Sequence, residues 1–502
     1  MLAAVLAATA LIGPGAVPKA AQAAERTGAA APAAQADGTA PWTSFGFDAA
    51  HSSENTKAVS VSSSNAGTLT QAWQFVTPAP TKSGQPTAFF DGSPVVADGL
   101  VFIGSNTGLF YALNEATGSV AWSLNAGYLP KHTCPAAGIR DTATVAVDPA
   151  TGNETVYFAG ANGKLWAVNA LTGALVWSAD VFPTTKASAP YVWGSPLVHG
   201  GRVYIGIASG CDDPLTRGGL VSFNQSTGKH LRTFWAVSAG VVGGSIWSTP
   251  AEDANGVFVT TGNGNEEEPD DQGLSNSIVL LNPTTLKAES HWTVPNIATV
   301  DDDFGSSPTL FTATIDGTPT AMVGACNKNG VYYAWKQSDL AAGPVWAYQA
   351  GNAVAPPNNA CLATAAWNGS DLFIIANTST VSGTSYPAVA RELDPATGTP
   401  VWQTGLADGP VLGSTALDGD GVLASVTFSQ SSPPVNQLAL VDAVSGALLA
   451  TYPLSIKVGG GPTYADGYIF FGGSDGILHA YQPSASSSPR TDGAPREPLQ
   501  VP

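Results

Sequence analysis

Charge is scarce in this 502-residue chain, and positive charge scarcest: Lys and Arg number 19 against 37 Asp and Glu, a formal net charge of −18. No basic cluster offsets the deficit. A nucleic-acid-binding surface and an anionic membrane surface are both disfavoured. Histidine is thin as well. The six residues are scattered with no i,i+4 pair, which leaves zinc hydrolysis without a visible ligand set. Cysteine is limited to Cys134, Cys211, Cys326 and Cys361, and no Cys-x-x-Cys-His occurs, so the sequence offers no covalent haem attachment. After the first residues, no run is long and apolar enough to cross a bilayer as a helix.

What is present is glycine (56), proline (37) and a 44% hydrophobic fraction, a mixture that suits many short strands joined by tight turns better than long helices. Residues 1–23 read as an export signal, although no basic residue precedes the apolar run. Met1 to Ile12 is almost wholly apolar, and Ala21-Gln22-Ala23 is a small-x-small cleavage site before Ala24. Residues 24–40 read as a flexible linker and 483–502 as a disordered tail. The expected location is extracellular, where an even number of cysteines favours disulfides.

Internal repeats decide the fold. A phrase of the type strand, Asp or Asn, x-x-Thr-Gly, x, Trp recurs with its final residue at Trp122, Trp177, Trp235, Trp292, Trp346 and Trp402, and with Tyr452 as the next copy. Each copy alternates apolar and polar positions about a tight turn, the signature of a hairpin. A second phrase of small residues precedes each hairpin, from Gly92-Ser93-Pro94 through Gly194-Ser195-Pro196 and Ser306-Ser307-Pro308 to Gly460-Gly461-Pro462, eight in all. Small residues suit strands crowded about an axis. With one more strand between the two phrases, the units add up to an all-β, eight-bladed β-propeller over 41–482. The last unit lacks its outer strand. Leu69 to Gln74, with Trp73, matches one, so an N-terminal strand is expected to close the last blade and remove a sheet edge. The repeated Trp residues read as structural, packing between blades. Cys134 and Cys361 each precede an inner strand, while Cys211 and Cys326 each end a second strand. Pairing Cys134 with Cys211 and Cys326 with Cys361 would link neighbouring blades.

Three loops carry chemistry. Gly243-Gly244-Ser245-Ile246-Trp247-Ser248-Thr249-Pro250 is followed by Thr261-Gly262-Asn263-Gly264-Asn265 and then by Asp301-Asp302-Asp303-Phe304-Gly305-Ser306-Ser307-Pro308. Over residues 68–482 the blade pattern resembles the quinoprotein propellers, which depend on pyrroloquinoline quinone (PQQ). This succession of loops is most similar to the polyvinyl-alcohol-dehydrogenase branch of the PQQ-dependent alcohol dehydrogenases. The blade pattern alone also occurs in non-catalytic scaffold propellers such as the bacterial outer-membrane assembly lipoprotein, so the loops must decide.

The resemblance implies a secreted dehydrogenase of an alcohol or polyol, with PQQ and Ca²⁺ or a lanthanide. Trp247 would floor the flat cofactor, Asn263 would bind the metal and Asp301 would be the catalytic base. Ser209-Gly210-Cys211-Asp212 is similar to the family's Ser-Gly-x-Glu, with Asp212 at the metal-binding position. Asp303 is a further metal candidate. Gly138-Ile139-Arg140 and Asn327-Lys328-Asn329-Gly330 resemble loops whose cations reach the cofactor's carboxylate and quinone oxygens. The implied set is Arg140, Ser209, Trp247 and Lys328 for the cofactor and Asp212, Asn263, Asp301 and Asp303 for the metal. These residue types match the chemistry, because a planar anion takes an aromatic face and cationic or hydroxyl donors at its rim, and a hard cation takes oxygen ligands. Without a haem motif, electrons would leave to a separate acceptor. Two features depart from the family pattern. No adjacent cysteines occur, and Trp193 stands where a hydroxyl residue is usual. These departures, with a thin match in the later blades, support the alternative, a binding or scaffold propeller without cofactor. The run Glu266-Glu267-Glu268 with Asp270-Asp271 reads as a solvated loop.

Overall fold

The computed structural model describes residues 40–484, apart from 132–133, 183–189, 266–271, 296–300, 353–359 and 430–434. The expected leader, nearly all of the linker, most of the tail and the Glu266–Asp271 charge run lie outside the described residues. The described chain is all β, with eight sheets that each run from an inner to an outer strand. Blade 1 consists of Val95–Ala97, Leu100–Gly104, Leu109–Asn114 and Val120–Asn125, paired antiparallel in that order. Blades 2 to 7 repeat it over 144–180, 197–235, 251–293, 309–349, 366–406 and 416–454. Blade 8 takes its inner three strands from Thr463–Ala465, Tyr468–Gly472 and Ile477–Pro483, and its outer strand from Leu69–Val76. Leu69 lies opposite Pro483 and Val76 opposite Ile477, so the strand at the start closes the ring as expected. Pro483 belongs to the sheet rather than to the tail.

The two repeated phrases have separate jobs. The Trp of an outer strand docks on the hairpin turn of the next blade. Trp73, Trp122, Trp177, Trp346 and Trp402 donate Nε1–H to the carbonyls of Glu115, Ala170, Gln225, Pro395 and Ala443, at 2.7–2.9 Å. Their rings lie on the turn glycines. A Cβ on Gly173 would stand 2.6 Å from the ring of Trp122, and its φ of +67° also requires glycine.

The small-residue phrase lines the axis. At six junctions the inner backbone N–H of one blade donates to a hydroxyl of the next: Gly461 to Ser93, Ser93 to Thr142, Thr142 to Ser195, Ser195 to Thr249, Thr249 to Ser307 and Ser307 to Thr364, at 2.8–3.2 Å. Crowding makes a larger residue impossible at places, since a Cβ on Gly92 would meet the Asp141 carbonyl at 2.1 Å. Middle strands are buried on both faces between blades, while outer strands alternate.

Residues 40–55 form a strap that the repeat did not reveal. It crosses the inner strands of seven blades, with backbone bonds from Trp42 to Val96, Thr43 to Val145, Ala49 to Glu252, Ala50 to Leu310, Ser52 to Trp367 and Ser53 to Leu417. Asn55 Nδ2 then donates to the Tyr464 carbonyl at 2.9 Å. Buried His51 contacts the Pro308 carbonyl through Nδ1 at 2.7 Å, and burial pushes its pKa down to about 4. Neutral His51 therefore donates its Nδ1–H there.

Candidate functional site

The candidate loops come together where blades 3, 4 and 5 meet. The segment ending the second strand of blade 3 (Arg202–Ser209) carries Ser209 and Asp212. Blade 4 supplies Ser245 and Trp247 before its inner strand and Asn263 after its second strand. Blade 5 supplies Asp301 and Asp303 before its inner strand and Lys328 after Thr318–Cys326. Backbone bonds lock the loops to one another: Gly262 N to Ser245 O at 2.6 Å, Gly244 N to Asn263 O at 2.7 Å and Lys328 N to Asp303 O at 2.9 Å. A Cβ on Gly262 would lie 3.0 Å from the Asp303 carboxylate, so glycine there lets that carboxylate approach.

A cavity of about 180 Å³ opens between these loops. Its lining includes Ser209, Asp212, Trp247, Asn263, Asp303 and Lys328, six of the eight residues implied by the resemblance, together with Trp193, Gly210, Cys211 and Ser245. Lys328, 9% exposed, is the hub. Its Nζ lies 2.6 Å from Asp301 Oδ1 and 2.6 Å from Asp303 Oδ1, and 4.9 Å above the Trp247 ring. Asp301 therefore joins the group through Lys328. Trp247 Nε1 donates to Asp303 Oδ2 at 2.9 Å. Burial raises the Asp303 pKa to about 6 despite the opposing pull of Lys328 and of the Trp247 hydrogen bond. Burial would lower the Lys328 pKa, but Asp303 and Asp301 together raise it. Asp212 stands on the exposed rim, its pKa raised chiefly by partial desolvation and opposed by Lys328.

The donor types present, carboxylates and an amide oxygen, are those that a hard cation takes. Three carboxylates face one ammonium, and Asn263 Oδ1 is buried without a hydrogen-bond partner while its Nδ2 lies 3.5 Å from Asp212 Oδ2. Among the described residues no three His, Cys, Asp or Glu side chains converge as a ready metal centre. The Lys328 ammonium lies between Asp301 and Asp303.

Arg140 stands apart. It lines a second cavity, of about 350 Å³, at the axis, which shares Trp193 and Trp247 with the first. Its Nε is 2.6 Å from Asp91 Oδ2, and its guanidinium lies 4.4 Å from the Trp193 ring and 5.1 Å from that of Phe89. Trp193 donates Nε1–H to the Ser209 carbonyl at 2.9 Å, and so sits between Arg140 and the smaller cavity. Sequence reasoning missed Asp91, whose signal is its place just before Gly92-Ser93-Pro94. It also missed Ser245, which holds Ser209 through hydrogen bonds of 3.0 and 3.1 Å.

Both expected disulfides are formed, Cys134–Cys211 and Cys326–Cys361. Trp235 departs from its expected packing role. It is 38% exposed and carries the Arg217 guanidinium at 4.5 Å. Tyr204 makes the interblade bond in its stead, donating to the Pro283 carbonyl at 2.9 Å.

A family model described as outer membrane protein assembly factor BamB (PQQ_2) matches residues 28–266 and 388–486. The dehydrogenase subunit of a quinone-linked alcohol dehydrogenase from Gluconacetobacter polyoxogenes is 29% identical over 317 residues, 54% of this chain and 41% of that protein. A polyvinylalcohol dehydrogenase from Sphingopyxis is 26% identical over 329 residues, 55% of this chain and 46% of that one. The chain thus spans under half the length of these relatives. The fold is shared with the quinohemoprotein alcohol dehydrogenase of Comamonas testosteroni, at a TM-score of 0.69 and 18% identity, over 92% of this chain and 82% of that one.

Proposed function

We propose that this chain, which belongs to the quinoprotein alcohol-dehydrogenase-like (PQQ) propeller family, is an exported dehydrogenase that oxidises an alcohol or polyol with bound PQQ and a metal ion. The observation that carries the reading is the convergence of Asp301, Asp303 and Lys328 over Trp247, beside the unpartnered Oδ1 of Asn263. Asp212, Asn263 Oδ1, Asp301 and Asp303 would hold the metal, Ca²⁺ or a lanthanide. The Trp247 face, Ser209 and Lys328 would hold the cofactor, and Arg140 would join them once its pairing with Asp91 is shared or released. Bound there, PQQ would supply the two-electron oxidation and the metal ion would supply Lewis acidity.

The remaining work falls to the chain. Lys328 engages Asp301 Oδ1 and fixes the carboxylate, so that Oδ2 takes the hydroxyl proton of the substrate. Trp247, held by Asp303, keeps the floor flat. Electrons leave to a separate acceptor.

Reconstitution tests the reading. The chain from Ala24 is mixed with PQQ and Ca²⁺ or La³⁺, and dye reduction is followed over a panel of alcohols beside Asp301→Asn. Metal-dependent binding of PQQ, with turnover that Asp301→Asn removes, is the expected result. A binding or scaffold propeller is the second reading. It is favoured by the way Trp193 and Asp91 occupy Arg140, and by the description of the matching family model. Failure to bind PQQ with either metal would make it the better one.

A further inference from the structure

The loop that carries Asp212 is firmly held at its base and exposed at its tip. At the base, Ser209 N donates to Ser245 Oγ at 3.0 Å, and Thr216 N donates to Ser209 Oγ at 2.9 Å. The extra strand Pro190–Tyr191 pairs with Ala208 and Ser209, and Trp193 bonds the Ser209 carbonyl. Beyond that frame, Cys211, Asp212, Asp213 and Pro214 are all exposed. Asp212 also has a φ of +57°, a left-handed conformation that a residue other than glycine adopts at a cost. The Asp212 carboxylate bonds within the site, to Ser209 and to Asn263 Nδ2 at 3.5 Å, so where it stands depends on a backbone anchor at the tip.

That anchor is covalent. Cys211 is bonded to Cys134, which is 7% exposed and belongs to the segment leading into blade 2. The contact is close enough to clamp the neighbouring backbone. A Cβ on Gly210 would stand 3.0 Å from Cys134 Sγ and 3.5 Å from Tyr191 Cδ2. Cys211 itself lines the 180 Å³ cavity beside Asp212. The bond ties blade 3's loop to blade 2, although the other residues around the metal position come from blades 4 and 5.

We propose that the Cys134–Cys211 disulfide is a positioning element for the metal site: it holds Asp212 facing Asn263, so that the site is complete in the oxidised chain alone. The inference rests on the metal-binding reading above. Cys134 and Cys211 touch no reacting atom in it and act through Asp212.

The test uses Tb³⁺ as the metal probe and its Trp-sensitised luminescence as the readout, with no turnover involved. The purified chain is compared with Cys134→Ser/Cys211→Ser, with Asp212→Asn, and with the three changes combined. Melting curves establish that each variant is folded. Both the cysteine pair and Asp212→Asn should weaken Tb³⁺ binding by about 10- to 100-fold, the usual cost of losing a residue that orients a ligand. The combined variant should be no weaker than either, because the disulfide acts through Asp212.

If the cysteine variant fails to fold, dithiothreitol treatment of the folded chain replaces it. The reagent is oxidised to its cyclic disulfide while the two sulfurs become thiols, and peptide mapping confirms which bond opened. Unchanged Tb³⁺ affinity without the disulfide, with Asp212→Asn still weakening it, would overturn the inference and leave the metal site standing. Additive losses would overturn it too, by showing that the disulfide acts elsewhere. If the oxidised chain itself binds no Tb³⁺, the metal reading falls and this inference falls with it.

Discussion

Blades 3 to 5 and the other five blades are built from one repeated phrase, yet they hold together differently. At five junctions outside the 3–4 and 4–5 contacts, a Trp indole reaches the next blade's turn over a glycine. Between blades 3 and 4 that device is absent. Arg232 stands at the strand position that the docking Trp holds elsewhere, Trp235 lies three residues further on under Arg217, the turn glycine is replaced by buried Leu286 at φ +54°, and Tyr204 supplies the interblade hydrogen bond. The cavity with Asp303 and Lys328 lies in this same region. Where the repeat is kept, the residues serve the ring. Where it is broken, the loops of the candidate site carry charge instead, as local rules do yield to other demands on a chain.

The largest effect that would sharpen this contrast is on turnover. Asp301→Asn should lower kcat by about 10²- to 10⁴-fold, the range for a lost general base, with the melting temperature little changed. Steady-state dye reduction and a melting curve check both halves. Stability should show the opposite distribution. Trp177→Ala, at a regular junction, should cost about 3–5 kcal/mol in denaturant unfolding. Trp235→Ala should cost under about 1 kcal/mol, as an exposed ring does. Equal costs would erase the distinction between the two regions.

A pair of raised carboxyls separates the regions further. Asp303 has Lys328 as a partner, whereas Glu115 of blade 1 faces another carboxylate, Asp466 of blade 8. Burial, then the Asp466 charge and hydrogen bond, raise the Glu115 pKa from 4.5 to about 8. The folded state therefore holds this proton more tightly than the unfolded chain does. The resulting stability is complete below 4.5 and is lost as pH rises through 8. Glu115→Gln should flatten that slope, worth at most about 5 kcal/mol across the window, in unfolding midpoints measured from pH 4 to 9. Smallest of all, Asn263→Ala should leave unfolding within about 0.5 kcal/mol of the parent, since its Oδ1 has no partner to lose.

The ring was legible in the sequence because docking demands particular side chains at fixed places: a Trp, a turn glycine, an Asn or Asp. The small-residue phrase was legible as crowding. Its hydroxyls, which bond one blade's Ser93 to the next blade's Thr142 and onward, were not anticipated. The strap was invisible for a plain reason. It binds the blades mostly through backbone N–H and C=O groups, which every residue has. Within the candidate site, Trp247, Asp301, Asp303 and Lys328 were singled out through loops whose residues are close in sequence, and the fold brings them together. The pairing of Arg140 with Asp91 spans 49 positions and depends on how blades 1 and 2 meet, which no local motif records.

The strap also has a consequence for how the chain comes into being. Asn55 is bonded to Tyr464, 409 positions away, and Leu69–Val76 waits as long for Ile477–Pro483. A chain delivered from its first residue onward must hold an unmatched strand and an unanchored strap until its last blade arrives. Loop closure of that span makes folding slow and leaves a strand edge open to other chains meanwhile. A product stopped one blade early is therefore no seven-bladed version of this molecule, but an open arc with sticky ends.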